Sequence, residues 1–281
     1  MTIKKNSENV LFKTYFNKEY KYPLTVKKED FLNIFKDNDI LLDIVSYHSS
    51  NDSKLEHKNH TLNYEIIDNW HAMAMKGSGT KVLKVRDVFV PEHRIESAKA
   101  LMTGQSSGYG MYPDSDIFFA AYRPYFACGF SAISLGIAEQ MVSWFTERSK
   151  TRVRAYTGAE VGKDVPAYMR LAESKHQINA ARALLEKDWN DLAQMGVKHA
   201  LPDADQLAQW RTNQAYAVKM CVTAVDRLFE SSGANAWFLS NEAQRLFRDS
   251  HMTAAHAYTD YDVCKQIYGR HLVGLEPDPR L

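Results

Sequence analysis

From Tyr125 to Val142 the chain runs for eighteen residues with a single charged side chain, Glu139, and only Ser131, Ser134 and Gln140 as other polar breaks. A segment this apolar must be covered on most of its circumference, either by lipid or by several packed neighbours. Its internal polar residues favour packed neighbours, and so do the patterns that follow. Pro124 suits a first helical turn, so the spacing predicts a central helix from Tyr125 to Lys150. Pro166 to Met195 is amphipathic, with Leu171, Ile178, Ala181, Leu185 and Leu192 near one face, Asp164 as N-cap and Gly196 as stop. Asp203 to Ser231 reads as a third helix and Asn241 to Tyr268 as a fourth. Four long helices with short connections predict an antiparallel bundle.

Upstream the pattern changes. Leu62 to Ile67 and Lys81 to Val90 alternate as strands, joined by Lys76-Gly-Ser-Gly-Thr80 and closed by Pro91. Residues 1–60 contain no Ala, Gly or Arg but 10 Lys and 7 Asn, whereas all 14 Arg and all 13 Gly lie beyond them. That segment has apolar clusters fit for short helices or strands. It reads either as an ordinary packed segment or as a segment of different origin. The expected organisation is an atypical N-terminal segment (1–61), a partial β-domain (62–97) and a helical bundle domain (98–281). The fold class is mainly α with a β segment.

With 35 basic and 34 acidic residues the charge is balanced, which disfavours a nucleic-acid or membrane-surface partner. Cys128, Cys221 and Cys264 are far apart and lack ligand spacing, as expected of buried thiols in a reducing cytoplasm. No apolar run follows Met1 as a signal peptide would require. A cytoplasmic, soluble protein is therefore expected, with no bound metal.

One segment concentrates chemistry: Arg245-Leu-Phe-Arg-Asp-Ser-His-Met-Thr-Ala-Ala-His256. On a continuous helix a spacing of five turns His256 roughly 140° from His251, so the two should have different roles. An imidazole donates or accepts near neutral pH and suits general acid–base work.

Three further stretches, taken with this one, carry a resemblance. Trp70 to Thr80 followed by Val85-Arg-Asp-Val-Phe-Val-Pro-Glu-His93 resembles the end of the middle β-domain of flavoproteins with the acyl-CoA dehydrogenase fold. Ala121-Tyr-Arg-Pro124, Thr151-Arg-Val-Arg-Ala-Tyr-Thr-Gly158 and the stretch from Arg245 to Leu275 narrow it. They resemble the oxygenase components of two-component, reduced-flavin-dependent monooxygenases of the 4-hydroxyphenylacetate 3-hydroxylase type. The resemblance covers about residues 64–281. It implies a partial β-domain followed by an acyl-CoA dehydrogenase-like C-terminal four-helix bundle.

The resemblance implies reduced FMN or FAD from a separate flavin reductase, dioxygen, and a small aromatic substrate that becomes hydroxylated. It implies that His256 lies near the flavin C4a position, where it meets the oxygenated flavin or the substrate hydroxyl. It also places Arg123 at the N1 and C2 carbonyl edge of the ring and Arg152 or Arg154 at the flavin phosphate, often across a subunit boundary. Ser78 and Thr80 in the glycine-containing turn, Trp70 as a wall and Asn235 near a neighbouring subunit's cofactor complete the cofactor set. Tyr258 and Asp260 are further candidates to line the pocket, and Arg248 and Asp249 are expected to fix the last helix. A helix as apolar as Tyr125 to Val142 is expected to drive a homo-oligomer, dimer or tetramer.

The family's N-terminal helical domain and the first half of its β-domain do not match residues 1–60. The competing reading is therefore a truncated, catalytically silent relative that acts as an oligomerisation or binding subunit. An acyl-CoA dehydrogenase proper is disfavoured by the histidine-bearing tail and the lack of an evident glutamate base.

Overall fold

A computed structural model describes residues 9–11, 25–27, 64–85, 96–97, 100–101, 105, 107–119, 122–276 and 278. The chain divides into two compact units, residues 1–70 with 79–90 and residues 71–78 with 91–281. In the first unit, β1 (Asn9–Leu11) pairs antiparallel with β2 (Thr25–Lys27), and β3 (Tyr64–Ile67) with β4 (Val82–Val85). Tyr64 stands opposite Val85, and Lys81 pairs with Asp68 beside this ladder. The remainder of the predicted second strand, and Pro91, lie outside the described residues.

The second unit is helical. A short α1 (Ser107–Met111) precedes α2 (Tyr122–Thr151), α3 (Val165–Val197), α4 (Ala204–Glu230), α5 (Glu242–Ala254) and α6 (Tyr261–Leu272). Asp203 caps α4 with a reciprocal capping box: its carboxylate accepts from the Gln206 amide while the Gln206 side chain accepts from the Asp203 amide. The core joins Leu135, Met141 and Phe145 of α2 to Ile178 and Leu185 of α3, Val225, Leu228 and Phe229 of α4, and Leu246 of α5. α2 is long and apolar enough to cross a membrane, yet it packs against α3, α4 and α5 in this core. Tyr125, Phe126 and Ile133 nonetheless remain exposed on its outer side.

Two expectations need correction. Gly196 does not stop α3 but lies buried inside its last turn, where a Cβ would stand 3.1 Å from the Asp116 carbonyl oxygen. The expected fourth helix is two helices, because the chain leaves α5 at Ala254 and re-enters a helix only at Tyr261.

Candidate functional site

The break between α5 and α6 is built by side chains. Thr259 Oγ1 donates to the Thr253 carbonyl at 2.5 Å and to the His256 carbonyl at 3.2 Å, capping the end of α5. Asp260 then accepts from the amides of Asp262 and Val263 and starts α6. His256 therefore sits in a tight turn, and its direction is set by that turn rather than by helical phase. The two histidines still meet different partners. His251, on α5, contacts Asp226 of α4 at 2.8 Å, whereas His256 stacks on Phe130 of α2 with ring centroids 3.7 Å apart.

The turn also fixes the tautomer of His256. The Tyr258 amide donates to Nδ1 at 3.3 Å, so the proton of the neutral ring belongs on Nε2. Burial holds the imidazole below its ordinary 6.5. At neutral pH His256 is thus an uncharged N–H donor on an aromatic platform of Phe130, Phe126 and Tyr258.

Beside this platform lies a small concavity lined by Arg123, Pro124, Ala127, Leu207, Arg211 and Tyr258. Arg123 comes from the first turn of α2, and Arg211 from α4 lies over the Tyr258 ring at 5.4 Å. The structure thus brings Arg123 into one concavity with Tyr258, two residues from His256. Arg211, Leu207 and Phe130 are additions that sequence reasoning missed. They sit on helices whose pattern reads as ordinary packing, and only an arginine inside Leu207-Ala-Gln-Trp-Arg211 hints otherwise.

Arg152, Arg154 and Asn235 gather elsewhere. Arg152 donates to the Ser231 carbonyl at 3.0 Å beyond α4, Arg154 pairs with Asp164, and Asn235 accepts from Arg148 at 3.2 Å. Burial, followed by Arg148 and Arg154, lowers the pKa of Arg152. Arg123 and Arg152 lie near opposite ends of α2, about 43 Å apart at 1.5 Å per residue. Five of the sequence-predicted residues thus separate into two clusters within one chain, Arg123 with His256 and Arg152 and Arg154 with Asn235.

Ser78 ends a single 3-10 turn, its amide donating to the Met75 carbonyl at 3.1 Å, and both Ser78 and Thr80 are exposed. Trp70 is half-buried in the β unit. Met75 takes a left-handed φ of 50° and donates its amide to Asp249 Oδ1 at 2.7 Å, so Asp249 anchors the 71–78 segment to α5. Arg248 instead donates to Gln244 at 2.9 and 2.7 Å.

This helical architecture is that of a known class. Residues 128–261 match the family model described as acyl-CoA dehydrogenase, C-terminal domain. Over 218 residues the chain is 62% identical to the p-hydroxyphenylacetate 3-hydroxylase oxygenase component of Acinetobacter baumannii, covering 78% of this chain and 52% of that protein. The 3-HSA hydroxylase structure from Rhodococcus sp. RHA1 superposes with a TM-score of 0.71 at 29% identity, covering 77% of this chain and 56% of that one. XiaF from Streptomyces sp., in complex with FADH2 and glycerol, superposes with a TM-score of 0.68 at 25% identity, covering 76% and 54%. The chain therefore carries the acyl-CoA dehydrogenase C-terminal domain over residues 128–261, and it is similar to the oxygenase components of flavin-dependent monooxygenases. It spans about half the length of the relatives it matches.

Proposed function

We propose that this chain works as the oxygenase component of a flavin-dependent monooxygenase that hydroxylates a small phenolic substrate. Reduced FMN or FAD, delivered by a flavin reductase, supplies when bound the two electrons that activate dioxygen. The observation that carries this reading is the His256 imidazole, held neutral with its proton on Nε2 beside a concavity containing two guanidiniums. Such a donor set fits the reduced ring and its phenolic partner. Arg123 offers permanent positive charge to an anionic edge, and the aromatic platform offers an apolar face for a ring to stack on. His256 Nε2–H donates a hydrogen bond to an oxygen atom of the cofactor or of the substrate hydroxyl without itself carrying charge.

Ser78, Thr80 and Trp70 are proposed as further flavin contacts. Arg152, Arg154 and Asn235 lie too far along α2 to reach the same flavin from one chain. We assign them to the cofactor of a neighbouring copy, in a dimer or tetramer assembled through the exposed apolar side of α2.

Anaerobic titration of the purified chain with reduced FMN and reduced FAD tests the proposal. Micromolar binding of one of them is expected, followed on aeration by hydroxylated p-hydroxyphenylacetate. His256→Ala is expected to keep binding and lose product yield. Absence of binding by either flavin refutes the reading and leaves the catalytically silent relative.

A further inference from the structure

We infer that Gln214 is a positioning residue that locks the first turn of α2, and with it Arg123, against the floor of the candidate site. The inference rests on the reading of the Arg123–Arg211–Tyr258 concavity as functional. Along α4, Leu207, Arg211 and Gln214 recur at the spacing of one helical stripe. The first two line the concavity, and Gln214, 1% exposed, lies buried beyond them.

Its Nε2 donates to the Pro124 carbonyl at 3.2 Å and to the Cys128 thiol at 3.7 Å. The Cys128 thiol in turn donates to the same Pro124 carbonyl at 3.1 Å. Two side chains from two helices thus converge on the backbone oxygen of the residue next to Arg123. Burial, and then the Asp188 charge, push the Cys128 thiol up to about 12, so it remains a donor across the physiological range.

The amide of Gln214 is held at a cost. Its Oε1 is buried and has no hydrogen-bond partner among the described residues, although a methionine would fill similar volume without that penalty. Helix packing alone does not call for an amide here. The contacts that use the amide are those to the Pro124 carbonyl and the Cys128 thiol, both at the start of α2.

Two variants test this on the full chain. Gln214→Met removes the donor. Gln214→Glu retains one only while its carboxyl is protonated, in surroundings that include Cys128 and Arg123 on α2, Asp188 on α3 and Arg211 on α4. In Gln214→Met, hydrogen exchange at the amides of residues 126–129 is expected to rise about tenfold, with the rest of the bundle unchanged. The KM for p-hydroxyphenylacetate should rise several-fold while kcat stays within about twofold, as loss of uniform binding requires. Gln214→Glu should recover KM towards the parent value as pH falls, and Gln214→Met should not. Unchanged exchange at 126–129, a rise spread over the whole bundle, or the same pH response in both variants overturns the inference. Should the parent bind neither reduced flavin, the functional proposal fails, while the exchange measurement still decides the role of Gln214.

Discussion

Asp188 offers the sharpest quantitative test of how this bundle is held together. Its carboxylate is 1% exposed between α3 and α4, with Oδ1 accepting from Asn213 Nδ2 at 3.2 Å and Lys187 Nζ 4.0 Å away. Oδ2 is buried and has no partner among the described residues. Burial therefore dominates, and raises its pKa from 3.8 to about 6 against the smaller opposing pull of Asn213 and Lys187. A folded-state value above the unfolded one means that stability is greatest below pH 3.8 and falls as pH rises towards 6. The gap corresponds to a penalty of roughly 3 kcal/mol at pH 8, but only about 1 kcal/mol at pH 4.5. Asp188→Asn keeps the oxygen that accepts from Asn213 and replaces the unmatched one with an uncharged amide nitrogen. Denaturant unfolding of parent and variant at both pH values should show the variant gaining about 2 kcal/mol relative to the parent between pH 4.5 and pH 8. A pH-independent difference, or a variant that loses ground towards pH 8, would show that Asp188 is not a desolvated carboxylate.

Two other expectations concern the ends of α2. The His256 imidazole should titrate below 6.5 in a proton NMR pH series, so that the stability tied to its neutral form is complete above 6.5 and declines as pH falls; a midpoint at or above 6.5 contradicts the described burial. Gly233→Ala should destabilise by roughly 1–3 kcal/mol in thermal unfolding, because Gly233 holds φ at 73° and a Cβ would run into the Arg152 guanidinium. A neutral substitution there would mean that the Arg152 contact with the Ser231 carbonyl yields easily.

Much of the bundle was legible because its signals are local. The third helix was expected to start at Asp203, which the structure shows as its N-cap with Gln206 three residues on, and the Leu171 to Leu192 stripe follows one helical period. The break at Ala254 was not, since Ala-Ala-His-Ala-Tyr carries neither Gly nor Pro. The stop comes from Thr259 reaching back six residues to the Thr253 carbonyl, a contact that no spacing rule announces. Asp260 ahead of Tyr-Asp-Val is the one capping signal that could have revealed it. For the site, Arg123 stood just before the first long helix and His256 in a histidine-bearing segment read as mid-helix, and the resemblance supplied the roles of both. Arg211 and Gln214 are mid-helix, and their place beside the α2 turn depends on how three helices meet. The Gly196 error has a related cause: glycine permits a helix end but does not compel one, and here it admits the close approach of the Asp116 carbonyl.

The length of α2 has a thermodynamic consequence. Arg152 and Phe130, on which His256 stacks, lie about 33 Å apart along α2 at 1.5 Å per residue, so changes near Arg152 and changes near His256 should add independently within a single chain. Any departure from additivity between them would have to be carried by contacts outside that chain. The coupling energy of the pair would then measure how far one copy's cofactor site depends on its neighbour.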